Sequence, residues 1–310
     1  MVTKIIFLAR LFLTTILVLL SVVTAVFFLI HLVPGDPVLT ILGENAGLKE
    51  IDKLRQELGL HLPIYEQWFN YVANVISFDF GESFYYHLPV APIIFERFLS
   101  TLLLASTSFL VAIAVGIPLG IVAALRYRQS WDGFATLLAL LGVSVPNFVL
   151  GPLLILCFSV QFQLLPIGSN EGLMSLMLPS LTLGLSFAAI LTRMSRASVL
   201  DVLNEAFITT ARAKGISEFR VVFHHILRNA FLPILTTLGL QIGVLLGGAV
   251  ITEAIFSWPG LGSLLVDSID RRDYQMLQAC VLVVSFTYVG INALTDALYH
   301  FLDPRISRTL

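Results

Sequence analysis

The chain alternates long uncharged stretches with short charged segments, and the lengths of the uncharged stretches predict membrane-spanning helices. A helix needs about 20 apolar residues to cross the hydrocarbon core of a bilayer. Six stretches reach that length: residues 11–35, 98–125, 133–170, 172–192, 229–252 and 274–295. The third is too long for one helix, but residues 165–170 have the proline and glycine of a turn. We therefore predict an all-α integral membrane protein with six transmembrane helices, the third followed by a loop.

The composition agrees with this pattern. Of the 310 residues, 57% are hydrophobic and 12% are charged, whereas soluble domains carry about 25% charged residues. A soluble protein of this size could not bury so much apolar surface. The net charge of −2 argues against nucleic-acid binding. The two cysteines, Cys157 and Cys280, both lie in apolar runs, which argues against a disulfide framework or a cysteine-rich metal site.

The basic residues are distributed unevenly between the two sides of the predicted spans. Twelve of the 18 Lys and Arg residues fall on the side that holds both termini, and six fall on the other. The side richer in Lys and Arg is normally cytoplasmic, so both termini are predicted to be cytoplasmic. The first uncharged stretch is longer than the roughly 7–15 apolar residues of a signal peptide, which predicts a retained helix.

The charge pattern also divides the chain into an N-terminal transmembrane helix, an extracytoplasmic segment and a transmembrane core: residues 1–35, 36–97 and 98–310. The extracytoplasmic segment is predicted to contain two amphipathic helices, at 48–58 and, after Pro63, at 64–76. We interpret it as a lid or brace that packs on the membrane domain. The core contains one long cytoplasmic loop, at 193–228.

Enzyme chemistry finds no support in the sequence. No phosphate-binding Gly-x-x-x-x-Gly-Lys-Ser/Thr loop, no His-Glu-x-x-His and no Gly-x-Ser-x-Gly motif is present. The charged residues nearest to the spans, Arg193, Glu253 and Asp296, lie near span ends, where their side chains are expected to reach water at little cost. A proton-coupled transporter would need acids near the midplane, so these positions favour an external energy source.

Glycines at a four-residue spacing indicate flat helix faces. Gly116 and Gly120 lie in the second predicted span, and Gly239, Gly243 and Gly247 lie in the fifth. Small residues at this spacing let another helix backbone approach closely. The partner helix could belong to this chain or to a second subunit, and the sequence leaves both alternatives open.

The cytoplasmic loop is the most informative part of the sequence. The run from Ser198 to Lys214 has the apolar spacing of one helix, and Gly215 then suits the left-handed position after a helix end. Ser217 is predicted to cap a second helix that runs to Pro233. A short helix held below the membrane by such a turn could be moved by a partner protein, or could simply lie in the membrane interface.

Residues 209–215, Thr-Thr-Ala-Arg-Ala-Lys-Gly, followed by residues 225–233, resemble the coupling loop of permease subunits in binding-protein-dependent ABC importers. Further motifs resemble the first permease of the peptide/nickel branch: residues 32–37, 58–60, 79–83, 256–262, 272–274 and 303–306, together with Pro63 and Glu253. The resemblance extends over essentially the whole chain.

This resemblance implies the partners of the chain. They would be a homologous second permease, two ATP-binding subunits, an extracytoplasmic substrate-binding protein and the lipid of the inner membrane, with no nucleic acid. ATP and Mg²⁺ would bind on the ATPase subunits, so no cofactor, catalytic residue or metal site is expected on this chain.

The resemblance also implies two sets of site residues. The residues expected to couple transport to the ATPase are Ala211, Arg212, Lys214 and Gly215, with Glu205 nearby. In the general family pattern a Glu-Ala-Ala sequence precedes the loop glycine by six residues, whereas this chain has Thr209-Thr210-Ala211 there. Glu205 lies four residues earlier and is not assigned the role of the family glutamate. The residues expected at the gate and binding-protein face are Glu253, Trp258, Pro259, Gly260 and Gly262.

The branch leaves the solute open. A small peptide, including a glutathione-like thiol peptide, is the expected solute, and nickel or a metal chelate is the alternative. A membrane receptor or scaffold is the alternative from another functional class, and a detergent pull-down without an ATPase would favour it.

Overall fold

The computed structural model describes residues 2–32, 38, 47–57, 59–167 and 172–302, which are mostly helical. Apart from an isolated β-bridge between Glu82 and Pro89, these residues contain no β-structure. The α-helices are α1 (Val2–Leu32), α2 (Leu48–Glu57), α3 (Ile64–Ile76), α4 (Val90–Leu125), α5 (Ser130–Ser144), α6 (Asn147–Leu154), α7 (Met177–Leu203), α8 (Ala206–Ala213), α9 (Glu218–Arg220), α10 (Leu227–Phe256), α11 (Leu261–Asp270) and α12 (Tyr274–Leu302). The all-α class predicted from the sequence is confirmed.

Five helical segments are long and apolar enough to cross a membrane: Ala9–Phe28, Val90–Leu125, Gly172–Leu203, Glu218–Leu245 and Tyr274–Ala297. They correspond to five of the six predicted spans. Two further pairs of helices meet the same criteria only when each bent pair is taken as one span, so the described residues contain between five and seven candidate spans.

The third uncharged stretch differs from its prediction. The predicted single helix is broken into α5 and a second helical segment, Asn147–Gln161, which meet at a bend of 107° and together meet the criteria for one span. The bend follows from Pro146, because a proline lacks the backbone N–H that a helix needs and disfavours helical backbone in the residue before it. Val145 is accordingly extended, with φ −89° and ψ 113°. Of the loop predicted at 165–170, residues 168–170 lie outside the described residues.

The chain divides into two compact units, Met1–Ser100 with Pro259–Leu310, and Thr101–Trp258. In the first unit, α11, α12 and the beginning of α4 bury Ile94, Leu264 and Met276. Ser83 donates a hydrogen bond to the buried carboxylate of Asp273, which also accepts one from the backbone N–H of Met276 at 3.2 Å. Asp273 therefore caps the start of α12 and holds the 79–90 connection to it.

The segment predicted to be extracytoplasmic, residues 36–97, has the two predicted helices, as α2 and α3. Pro63 precedes α3 directly, where its missing N–H leaves no hydrogen bond unmade. Trp68 Nε1 donates to Thr24 Oγ1 at 3.2 Å, and Val75 packs with Val23. Thus α3 lies along α1. The motif at 32–37 falls largely, and the motif at 303–306 entirely, outside the described residues.

The second unit is built around α7. In the most apolar part of Gly172–Leu203, 61% of the residues are buried, against 17% for Ala9–Phe28. Leu183 and Phe187 of α7 pack with Leu104 and Leu245 in one cluster. Farther along α7, Leu191 packs with Ile234 and Leu238 of α10. The helix α7 is therefore the central helix of this unit, and side chains of the surrounding helices pack against it.

Candidate functional site

The loop after α7, predicted to be cytoplasmic, contains a short separate helix, α8. The prediction of one helix from Ser198 to Lys214 is wrong, because α7 ends at Leu203 and Glu205 is extended, with φ −74° and ψ 143°. At the break, the Asn204 side chain donates to the carbonyl of Leu200 at 3.0 Å. Short polar side chains compete in this way with backbone hydrogen bonds. The break sets α8 apart from α7, with Glu205 at its N-cap position.

The turn after α8 has the predicted left-handed glycine. Gly215 has φ +77°. Its N–H donates to the carbonyl of Arg212 at 2.9 Å, and the N–H of Ile216 donates to that of Ala211 at 3.3 Å. These two bonds form a Schellman motif, which satisfies carbonyls left free at a helix end. A Cβ on Gly215 would meet no described atom within 4 Å, so the glycine is favoured here by backbone conformation and not by space.

The second helical segment after this turn also differs from its prediction. Ser217 occupies the N-cap position, but its side chain makes no capping hydrogen bond. The helical backbone passes from α9 through a π-helical segment, Val221–Ile226, into α10. It continues through Pro233 to Phe256 instead of ending at the proline.

One face of α8 is buried in the loop and the other is exposed. Ile208 and Ala211 pack with Val199, Val221 and Ile226. Ala211 was expected among the coupling residues, and with 7% exposure its side chain packs inside the loop and helps to hold α8 in place. The exposed face carries Phe207, Thr209, Thr210, Arg212 and Lys214, followed by Gly215.

An ion pair closes the turn around Gly215. Arg212 Nε and its terminal nitrogen donate to the two carboxylate oxygens of Glu218 at 2.8 and 3.1 Å. Both side chains are exposed, so the pair adds little stability. It connects α8 to α9 across the turn through two parallel hydrogen bonds.

A second ion pair, between Asp132 and Arg196, was missed by the sequence reasoning. Arg196 donates to both carboxylate oxygens of Asp132 at 2.6 and 3.0 Å, and the N–H of Arg128 donates to the same carboxylate at 2.9 Å. The Arg196 guanidinium also lies 5.4 Å from the ring centre of Tyr127. The pair joins the first turn of α5 to the last part of α7. The sequence signal for this pair was that an acidic and a basic residue lie near span ends on the same predicted side of the membrane.

The predicted packing glycines lie in unlike surroundings. Gly116 and Gly120 of α4 face α7, where a Cβ would lie 2.7 Å from the carbonyl of Ala188 and 2.6 Å from that of Thr192, respectively. On α10, Gly243 is buried, Gly239 is half-buried and Gly247 is exposed. A Cβ on Gly247 would meet no described atom within 4 Å.

Two residues predicted for the gate are buried in the second unit. Glu253 was expected to reach water, and this is wrong: its exposure is 0%, and Thr101 Oγ1 donates to its carboxylate at 2.7 Å. Trp258 is 8% exposed and belongs to the cluster around α7. The backbone N–H of Trp258 donates to the backbone carbonyl of Glu253 at 2.9 Å. The reason is that α10 extends beyond the predicted span to Phe256, which carries Glu253 into the packed interior.

The other three predicted gate residues, Pro259, Gly260 and Gly262, lie at the start of Pro259–Leu310, which belongs to the first unit. Pro259 is half-buried and precedes α11. Gly260 occupies the N-cap position of α11, and its N–H donates to Ser263 Oγ at 3.1 Å. Gly262 is buried in the first turn. These residues shape the start of α11.

Comparisons with known proteins agree over most of the chain. The family described as "Binding-protein-dependent transport system inner membrane component" matches residues 116–308, and the family of its N-terminal part matches residues 4–105. The glutathione transport system permease protein GsiC of Escherichia coli (strain K12) is 45% identical over 282 residues, which cover 91% of this chain and 92% of that protein. The protein of the same name from Shigella dysenteriae serotype 1 (strain Sd197) has the same identity and coverage.

Solved structures show the same fold. An inward-facing conformation of the MetNI methionine ABC transporter aligns with a TM-score of 0.59 and 16% identity, over 68% of this chain and 96% of that chain. An amino acid ABC transporter crystallised with histidines aligns with a TM-score of 0.53 and 19% identity, over 68% and 94% of the two chains. At these identities the likeness concerns the fold.

Proposed function

The chain belongs to the family of inner-membrane components of binding-protein-dependent transport systems, and we propose that it forms the path for a small thiol peptide together with a second permease. It is a multi-pass permease subunit of an ABC importer, and such subunits are transport channels, not enzymes. In this proposal, ATP with Mg²⁺ is bound and hydrolysed on two separate ATPase subunits, and a binding protein delivers the solute.

The observation that carries the choice of solute is the 45% identity to a glutathione transport permease over 91% of the chain. We propose glutathione or a closely similar peptide as the solute. The nickel alternative is not favoured, because nothing observed supports it over a peptide.

The test of the solute is uptake of radiolabelled glutathione by cells that express the complete importer. We expect saturable uptake that unlabelled glutathione abolishes and that Ni²⁺ leaves unchanged. Uptake of labelled Ni²⁺ with no uptake of glutathione would contradict the proposal. A binding protein that copurifies with a bound peptide would support it further.

The exposed face of α8 is proposed to contact the ATPase. It presents Arg212 and Lys214 beside a helix face that is buried, and this packing together with the backbone hydrogen bonds of the Gly215 turn holds its orientation. A force on α8 is therefore transmitted to α7, to which the loop is packed, instead of being absorbed by a flexible connection. This arrangement suits a lever between ATP hydrolysis and the transmembrane helices.

Gly215→Asp should abolish uptake while membrane insertion is retained. The matched control is Gly215→Asn, because both side chains have the same size and tolerate left-handed backbone, and only Asp adds a negative charge at the negative end of α8. We expect Asn to retain more transport and ATPase coupling than Asp. Normal uptake by a stably expressed Gly215→Asp variant would contradict the coupling role.

The proposed topology places both termini and the 193–228 loop in the cytoplasm and the 36–97 segment outside. Alkaline phosphatase and fluorescent-protein fusions after residues 45 and 210 should report opposite compartments. If both positions report the same compartment, the topology is wrong.

A further inference from the structure

A polar pocket of about 230 Å³ lies in the first unit, between the end of α1, α3, the turn at 79–81 and the start of α12. It differs from the apolar faces of the long helices, because much of its lining is polar. The polar side chains that matter here are those of Asn70, Tyr71, Asn74, Asp79, Gln275 and Gln278. A concave site with several convergent polar groups is typical of small-molecule binding.

Two buried polar atoms of this lining have no hydrogen-bond partner among the described residues. They are the hydroxyl of Tyr71 and Oε1 of Gln275. A buried polar atom without a partner costs free energy, so it indicates a water, an ion or a ligand that completes the site. Burial raises the pKa of the Tyr71 hydroxyl, which therefore stays uncharged. A ligand that brings a compact hydrogen-bond donor would supply the partner that Gln275 lacks.

The lining offers acceptors in excess. Gln278 Nε2 donates to the carbonyl of Val26 at 3.0 Å, which leaves the amide oxygen of Gln278 for a ligand. Gln275 adds its unpaired oxygen, and Asp79 adds a carboxylate of which Oδ1 accepts from the N–H of Gly81 at 3.0 Å. Among the described residues that line the pocket, Asp79 is the only carboxylate, and there is no Lys or Arg.

Gly81 brings two of these acceptors to the same place. Its backbone is left-handed, with φ +73°, and a Cβ on it would lie 3.1 Å from Gln275 Oε1. The amide of Gln275 therefore lies against the glycine whose N–H binds the Asp79 carboxylate. A side chain at position 81 would be strained and would crowd Gln275. The glycine thus allows an amide oxygen and a carboxylate to approach one residue from α12 and from the turn.

The charges and hydrogen-bonding groups of the lining select a cationic donor. A primary ammonium group is compact and has three N–H donors and no acceptor, so it complements acceptors grouped around one carboxylate. A carboxylate or phosphate would find no Lys or Arg here and would be repelled by Asp79. His31 offers no free N–H to an anion, because its ring nitrogens are engaged by a backbone carbonyl of α1 and by Gln67 Oε1, each at 3.2 Å.

We propose that this pocket binds the free α-ammonium group of a small peptide. The ammonium donates to Gln275 Oε1, to the amide oxygen of Gln278 and to the Asp79 carboxylate. The side-chain amides of Asn70 and Asn74 are then available to the peptide groups that follow. The choice of a peptide rests on the proposed function, whereas the choice of an ammonium group rests on the lining alone.

The test compares two probes that differ at the amino end. Glycylglycinamide has an ammonium group and no carboxylate, and N-acetyl-glycylglycinamide has a neutral amide in place of the ammonium. The complete importer is reconstituted without its binding protein in nanodiscs of phosphatidylcholine, whose headgroup has no N–H donor. Affinities are measured by saturation-transfer NMR titration. Because neither probe is glutathione, failure of this test and failure of glutathione uptake are separate results.

We expect the wild type to bind glycylglycinamide about tenfold or more tightly than the acetylated probe, since hydrogen bonds to a charged group are the stronger ones. Asp79→Asn should weaken binding by about tenfold, because it removes the charge and keeps an oxygen for the N–H of Gly81. The matched control is Glu82→Gln, because Glu82 is exposed, lies in the same turn and does not line the pocket. Its affinity should equal that of the wild type.

Gln275→Glu is expected to tighten binding of glycylglycinamide, because it adds a second negative charge beside the ammonium, and a damaged pocket would not produce a gain. Equal affinity of the wild type for the two probes, or equal affinities of Asp79→Asn and Glu82→Gln, would overturn the proposal. No binding by the wild type would show that the pocket holds only water and would also overturn it. If Asp79→Asn does not assemble, a Gln275→Glu variant without tighter binding has the same consequence.

Discussion

The glycine repeats of α4 and α10 have the same four-residue spacing but different surroundings. On α4, a Cβ at Gly120 would lie 2.6 Å from both the Ser195 Cβ and the Thr192 carbonyl oxygen. On α10, a Cβ at Gly247 would have open space among the described residues. The spacing thus shows that a helix face is flat, and it does not show which helix lies on that face.

The surroundings of Gly247 form one continuous face of α10. Leu240, Val244, Gly247 and Ile251 follow one another at spacings of four, three and four residues. The three large side chains, of Leu240, Val244 and Ile251, are 57%, 56% and 51% exposed. The adjacent Gly248 faces inward instead, where a Cβ would lie 3.6 Å from Leu183. We therefore interpret the α4 repeat as a contact within the chain and the Gly247 face as a surface for lipid or a second subunit.

The largest effect is expected from Gly120→Leu. The side chain would collide with backbone atoms of α7, which cannot move away without disturbing the centre of the second unit, and overpacking of this kind costs about 1–3 kcal/mol or more. Membrane yield and the melting temperature of the purified subunit should both fall. Gly133→Leu is the control, because a Cβ there meets no described atom within 4 Å. Similar losses in both variants would show that close packing is not the cause.

An intermediate effect is expected from the Asp132–Arg196 pair, which lies beside Gly120 in the same packed region. An exposed pair contributes about 0–1 kcal/mol and breaking a fully buried one costs about 3–5 kcal/mol. With side-chain exposures of 28% for Arg196 and 9% for Asp132, this pair lies between these limits, and we expect its loss to cost less than the collision at Gly120. Asp132→Asn, Arg196→Gln and the double variant form a cycle for melting and for ATPase stimulation. We expect each single change to be destabilising and the double variant to lose less than their sum. Strict additivity would show that the two groups do not interact.

The smallest effect is expected from Gly247→Leu when the subunit is expressed alone. No described atom obstructs the side chain, and replacing a helical glycine gains up to about 1 kcal/mol in helix propensity. The melting temperature of the subunit alone is measured first, and the yield of the assembled importer is measured second. Reduced assembly with unchanged subunit stability would assign this face to a second subunit. Destabilisation as large as that of Gly120→Leu would remove the distinction between the two repeats.

The parts of the fold that were predicted correctly depend on local sequence. The uncharged stretches located five candidate spans, since span length is set by the bilayer. The left-handed turn at Gly215 and the helix after Pro63 also follow from residues within a few positions. The break before Glu205 was missed although its cause is local, because the apolar spacing continues past Asn204, whose side chain bonds back to the carbonyl of Leu200.

The sequence by itself therefore determined the membrane class, most of the spans and the turn that ends α8, because each depends on the chemistry of neighbouring residues. Only the tertiary structure decided that Glu253 is buried with Thr101, that Asp132 meets Arg196 across 64 positions, and which glycine repeat contacts α7. These features depend on which helix faces meet. That choice is made by packing over the whole unit, and a spacing along one helix carries no record of it.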